Sequence, residues 1–188
     1  MKYNPDTFFI TFTDSINDDK VKSLIAVITD VINQHHPSQI YILFSSTDGG
    51  INAGITLYNF LLAVPTEVVF HNIGAVDSIA TCIFLAGNKR YACSNAHFLF
   101  HGVAWPFPQG AVLNRKQLQE CVSTIQQNEN DFANIIIRRT SIGKEEMFSL
   151  LDQGESKGLE FALEKGIIHE VCEASIPVGY KHIACNFR

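Results

Sequence analysis

The chain lacks any Cys-x-x-Cys pair, and its five cysteines (Cys82, Cys93, Cys121, Cys172, Cys185) are odd in number and widely spaced. That leaves neither a disulfide framework nor a zinc site of ordinary ligand spacing, and the thiols read as buried or incidental. Positive charge is in deficit: 14 Lys and Arg stand against 19 Asp and Glu, a net charge of −5, where a nucleic-acid surface needs an excess. No apolar run approaches the ~18 residues of a membrane-spanning helix. Met1-Lys2-Tyr3-Asn4-Pro5-Asp6 lacks the basic-then-apolar order and cleavage site of a secretory signal. No Gly-x-x-x-x-Gly-Lys-[Ser/Thr] loop is present to cradle ATP phosphates. His35-His36 closes a helical pattern and reads as a solvated cap, so no metal and no cofactor is expected. Repeats, low-complexity tracts and long linkers are also missing, and residues 1–188 are taken as one domain of a cytoplasmic protein.

What is present is apolar material in alternating patterns. Hydrophobic residues make up 46% of 188 and charged residues 18%, enough for a sizeable core. Phe8 to Phe12 is β-rich, and Asp14, Ser15, Asn17 and Asp18 then supply turn and N-cap chemistry. Val21, Leu24, Ile25, Ile28, Val31 and Ile32 follow at helical spacing, with Pro37 beyond the end. Ile40 to Phe44 is a continuous apolar run, as in a strand buried on both faces. A second helix starts near Asn52, Glu67 to Ile73 reads as a strand, and Gly74 to Ser78 as a loop into a short apolar helix, Ile79 to Ala86. Tyr91 to Cys93, His97 to Phe100 and Ile167 to Val171 read as further strands, and Lys144–Leu151 and Gly158–Lys165 as short helices. From about 111 to 139 the composition turns to Gln, Asn, Glu and Arg with spaced apolar residues, predicting one long projecting helix. This alternation predicts an α/β fold with largely parallel pairing.

Two junctions share a design in which a buried strand ends, small residues follow and an apolar helix begins. Such junctions bring backbone N–H groups to one edge of a sheet. Gly49 and Gly50 permit close backbone approach, and Ser78 precedes a helix whose first N–H, that of Ile79, has no partner inside the helix. One N–H from each loop makes a candidate oxyanion hole. A serine hydroxyl needs a base to take its proton, and His101 ends the apolar run His97-Phe98-Leu99-Phe100 where it can lie across the same edge. Lys89 is a less suitable base for a Ser–Lys pair. Trp105-Pro106-Phe107-Pro108 is a stiff aromatic loop suited to walling a cleft or to an oligomer contact.

In this order the residues resemble the Clp protease proteolytic subunit and its relatives, serine peptidases on a ClpP/crotonase-like ββα spiral with a projecting handle helix. Tyr41 to Gly50 is similar to that family's strand and Ser-Pro-Gly-Gly turn, and Gly74 to Ala80 to its Gly-x-Ala-Ser-Met-Gly turn. Phe98 to His101 is similar to the strand that delivers its histidine, and Ala162 to Ile168 to its Ala-x-x-x-Gly-Leu-[Ile/Val] segment. The resemblance implies Ser78 as nucleophile, His101 as general base, Gly50 and Ile79 as oxyanion donors, and about 111–139 as the handle. It also implies a peptide or unfolded polypeptide as substrate and a homo-oligomer of stacked rings.

The chain departs from the pattern in four places. The family's proline in the first turn is Asp48. The small residue before the nucleophile is Asp77, which would disfavour an oxyanion if it pointed inward and is taken as an outward helix-start acid. Counted back from Gly166, the family's acid falls on Gly154; Asp152 and Glu155 flank it and either can reach His101 after a small loop shift, with Asp152 taken first as the third triad member. Few residues precede the first strand, so engagement of an ATPase through an axial segment is not expected. The alternative reading is an impaired structural or regulatory homologue; a crotonase-type CoA-ester enzyme would share the two-N–H hole but not the Ser78–His101 order.

Overall fold

The computed structural model describes residues 3–185; Met1, Lys2 and residues 186–188 of the single-domain reading lie outside the described residues. Strand β1 (Thr7–Thr13) leads to helix α1 (Asp18–His35), whose Asn17 side chain accepts the Lys20 N–H and whose chain turns left-handed at His36. β2 (Gln39–Ser46), α2 (Ile51–Ala63), β3 (Glu67–Asp77) and α3 (Ile79–Leu85) continue the alternation. β4 (Lys89–Ala92) and β5 (His97–Leu99) precede the long α4 (Arg115–Arg139), followed by α5 (Lys144–Gln153), β6 (Ser156–Lys157), α6 (Leu159–Glu164), β7 (Glu170–Val171) and β8 (Lys181–Ala184).

All eight strands join one sheet with a path of β6-β5-β3-β2-β1-β8; β4 pairs with β3 and with β7. Every pairing is parallel except β5 with β6. One face, carrying Phe8, Ile10, Phe12, Ile42, Phe44 and Phe70, is buried under helices in the main core. The other face is smaller: Phe9, Tyr41, Leu43 and Val69 are covered by Tyr3, Ile176 and Tyr180. Among the described residues no helix is long and apolar enough to cross a membrane. Helix α4 is buried only toward its C-terminal end, at Phe132, Ala133, Ile135 and Ile136, while Leu118 and Val122 face solvent.

Three differences from the sequence reading concern how the sheet is closed. β3 does not stop at Ile73 but runs to Asp77. Asn72 and Ser45 hold the irregular stretch that makes this possible. The buried Asn72 accepts the Gly74 N–H at 2.9 Å and donates to the His97 carbonyl at 3.0 Å, and Ser45 Oγ accepts the Ala75 N–H at 3.1 Å. β3 thereby changes neighbours, with Val69–Asn72 lying against β4 and Ala75–Asp77 against β5. That switch carries the end of β3 beside the end of β5. The last predicted strand shortens to Glu170–Val171. The short β6 and β8 had no apolar pattern to announce them, since β8 is exposed along its whole length.

Candidate active site

Ser78 lies between β3 and α3 with φ 54° and ψ −132°, a conformation that L-residues with a side chain rarely adopt. The turn is held from outside: the Ser78 N–H donates to the Leu99 carbonyl at 2.8 Å, and Thr81 Oγ1 donates to the Val76 carbonyl at 3.3 Å. A side chain kept in a strained backbone region by its surroundings marks a place where position outweighs stability. The Ile79 N–H, first in α3, finds no acceptor among the described residues. Its position is set by Gly54 on α2: a β-carbon there would lie 2.2 Å from Ile79 Cγ1, so the two helices close to this distance only with glycine.

His101 follows β5 and is half-buried. Its Nδ1 lies 2.8 Å from the Gly102 carbonyl, which only accepts, so Nδ1 carries the proton and Nε2 keeps its lone pair. That is the tautomer a general base needs. Ser78 and His101 line one cavity of about 680 Å³ together with Asp48, Gly49, Gly50, Trp105 and Asn128. Among the described residues no hydrogen bond joins Ser78 Oγ to the ring. The aromatic loop thus walls this cavity through Trp105, and Lys89 is not near it, being paired with Glu67 at 3.0 Å at the far end of β3.

The remaining expected residues fall less simply. Gly50 lines the cavity, but its N–H donates to the Ile16 carbonyl at 2.8 Å. Gly49 (φ +157°) serves the same contact: a β-carbon there would lie 2.3 Å from the Ile16 oxygen. The glycines that allow close approach have their own chain as the approaching partner. Asp152 does not join the histidine. α5 runs through Gln153, which leaves Asp152 exposed on its outer side with no hydrogen bond to His101 among the described residues. Glu155 is exposed and paired with Lys157 at 3.1 Å. Between them Gly154 caps α5 in the left-handed region, and a β-carbon on it would lie 4.0 Å from His101 Cβ with nothing else inside 4 Å.

Asp77 is not an outward helix-start acid. It ends β3, is 6% exposed, and its Oδ1 has no hydrogen-bond partner among the described residues. Burial raises its pKa, while the His97 charge, the Leu99 backbone and the His101 charge pull it back down. From α4, Glu129 Oε1 accepts the Val103 N–H at 3.2 Å and so ties the loop after His101 to the long helix. Nothing in the local sequence signals Glu129 or Asn128, because their role depends on how α4 packs. Among the described residues, no group of three or more His, Cys, Asp or Glu is arranged to hold a metal.

Residues 5–175 match the Clp protease family. The chain belongs to the Clp protease family. That family is one of serine peptidases of the ClpP type. The chain is 25% identical over 167 residues to the ATP-dependent Clp protease proteolytic subunit of Dehalococcoides mccartyi, covering 87% of this chain and 82% of that one. It is 28% identical over 94 residues to the subunit of the same name from Ligilactobacillus salivarius, 49% and 48% of the two chains. In structure it resembles a mutant of ClpP1 from Listeria monocytogenes, with a TM-score of 0.76 and 19% identity over 90% of this chain and 92% of the other. The Clp protease fold is therefore present nearly end to end, with the cavity at the C-terminal edge of its parallel strands.

Proposed function

We propose that the protein is a serine endopeptidase that cleaves peptide bonds through an acyl-enzyme, with Ser78 as nucleophile and His101 as general base. The observation that supports this reading is the strained turn of Ser78, which lines one cavity with His101 and is followed directly by an Ile79 N–H without an acceptor among the described residues. His101 Nε2 takes the Ser78 proton as Oγ attacks the scissile carbonyl, and the resulting imidazolium gives that proton to the leaving amine. A water then repeats the sequence to release the acyl group. Ile79 N–H stabilises the oxyanion, and Gly50 N–H joins it on exchanging the Ile16 carbonyl for the substrate's. An extended polypeptide suits the sheet edge, where backbone pairing holds it for cleavage. The exposed apolar side of α4, Leu118 and Val122, suits packing against further copies, in the stacked rings of this family.

The Gly154 position and the engaged Gly50 N–H favour a second reading, in which the chain assembles as a structural or regulatory homologue with little turnover. A fluorophosphonate probe on the assembled full-length protein separates the two. Peptidase function requires covalent modification at Ser78, located by mass spectrometry, and none in Ser78→Ala. An assembled wild type that stays unlabelled would falsify the peptidase reading.

A further inference from the structure

The acid position beside His101 is empty of side chain, since Gly154 faces it, Asp152 and Glu155 point to solvent, and Nδ1 is held by a neutral carbonyl. A carbonyl fixes the tautomer but supplies no negative charge to an imidazolium. One carboxyl in the neighbourhood is buried and has an oxygen to spare. Asp77 pairs across the sheet with Leu99, so His97, two residues back along β5, shares its face, and His101 follows Leu99 by two residues just past the end of that strand. We propose that Asp77 is the positioning residue of this site: its carboxylate stands in for the absent acid and holds the positive charge that His101 acquires when Ser78 attacks.

The inference rests on the peptidase reading and deepens it. Burial explains why one carboxylate in this place is effective, because a charge shielded from water acts at longer range than an exposed one. The other charged groups around His101 are worse placed. Glu129 on α4 is committed to the Val103 N–H, Glu155 is paired with Lys157, Asp152 lies outside the cavity lining, and Asp48 borders the cavity from the opposite loop with its side chain exposed. His97 competes for the same carboxylate but is itself exposed, so water screens its share. The Leu99 backbone steadies the carboxylate. Asp77 belongs to β3 and the Ile79 N–H to α3, on opposite sides of Ser78 along the chain.

The test uses Asp77→Asn, Asp77→Glu and His97→Gln in the full-length protein, each checked for unchanged assembly. Asp77→Asn is expected to lower kcat about tenfold with KM changed less than about twofold, and to move the acid limb of the kcat/KM profile to lower pH. Asp77→Glu should restore part of the rate, and His97→Gln should change it less than Asp77→Asn does. An Asp77→Asn protein as active as wild type, or a His97→Gln protein that loses as much, overturns the proposal. If the wild type fails to label at Ser78, the peptidase reading falls by itself. The charge coupling is then read from unfolding of Asp77→Asn, His101→Gln and the double variant at about pH 5.5, below the ordinary imidazole value of about 6.5. A coupling of about fivefold in the unfolding constant supports the inference, and independent effects overturn it.

Discussion

Two ends of strand β3 treat polar groups in opposite ways. Near its start the buried Arg90 guanidinium donates to the carbonyls of Ile167 at 2.7 Å and of Gly87 and Gly166 at 2.9 Å, while the Arg90 N–H donates to His169 Nδ1 at 3.0 Å. His71 is equally well provided: Tyr41 OH lies 2.7 Å from Nδ1, and Nε2–H donates to the Cys172 carbonyl at 2.9 Å. At the other end, Ser78 is strained, the Ile79 N–H and Asp77 Oδ1 have no partner among the described residues, and the Gly50 N–H is occupied by a neighbouring loop. Full satisfaction of buried polar groups builds rigidity, and open valences are what a substrate can use. The cost of the second end is carried by the first.

Loss of a satisfied contact at the first end and relief of strain at Ser78 should therefore move stability in opposite directions. The largest effect is expected from Arg90→Met, which takes the guanidinium donors from the carbonyls of Ile167, Gly166 and Gly87, leaving only the Gly87 carbonyl a second donor in Arg139, and should cost about 3 kcal/mol or more in denaturant unfolding. A loss below ~1 kcal/mol would show that the guanidinium network is not what secures that end. Next is Gly154→Asp, which puts a carboxylate against His101. Turnover should rise on the order of tenfold at a stability cost of ~1 kcal/mol for a left-handed aspartate, and an unchanged rate would mean that the missing acid is not what limits the site. Ser78→Gly should abolish labelling yet stabilise the fold by roughly 1 kcal/mol, because glycine adopts this backbone without strain. A destabilised Ser78→Gly protein would remove strain from the account.

The smallest effect expected is a pH dependence at the satisfied end. Burial lowers the pKa of His71 more than the Cys172 carbonyl and Glu173 raise it, and burial followed by the Arg90 and Arg139 charges lowers that of His169. The unfolded chain then binds more protons than the native one as pH falls through the ordinary imidazole value of about 6.5. The stabilisation is full above that value and is lost below it, so the melting temperature should drop between about pH 7.5 and pH 5.5. A melting temperature that rose on acidification would contradict the assignment of imidazoles held neutral by their surroundings.

Periodicity and punctuation made most of the scaffold legible. Asn17 and Pro37 bracket α1, the run Ile40–Phe44 lies inside β2, and the change of composition before residue 115 marks α4. The extension of β3 through Gly74-Ala75-Val76-Asp77 was not legible, because small residues after an apolar run look like a loop until Asn72 and Ser45 are seen to clamp them. In the candidate site, Ser78, Ile79 and His101 could be singled out because a serine between small residues and a helix, a helix start and a strand end each leave a local trace. Asp152 against Gly154 could not be resolved, since one residue of displacement at the end of α5 separates the helix's outer side from the imidazole. The inward turn of Asp77 and the Gly50–Ile16 bond are products of packing between segments far apart in the chain, and no local pattern encodes them.

The Gly50–Ile16 hydrogen bond has a practical corollary for anyone designing a chemical probe. A warhead shaped to draw on two amide donors must first displace an internal competitor and forfeits part of its binding energy in doing so. A compound that leaves the Gly50 loop untouched, bonds covalently to Oγ and accepts only from the Ile79 amide escapes that tax. The better scaffold for this protein is therefore a lopsided one.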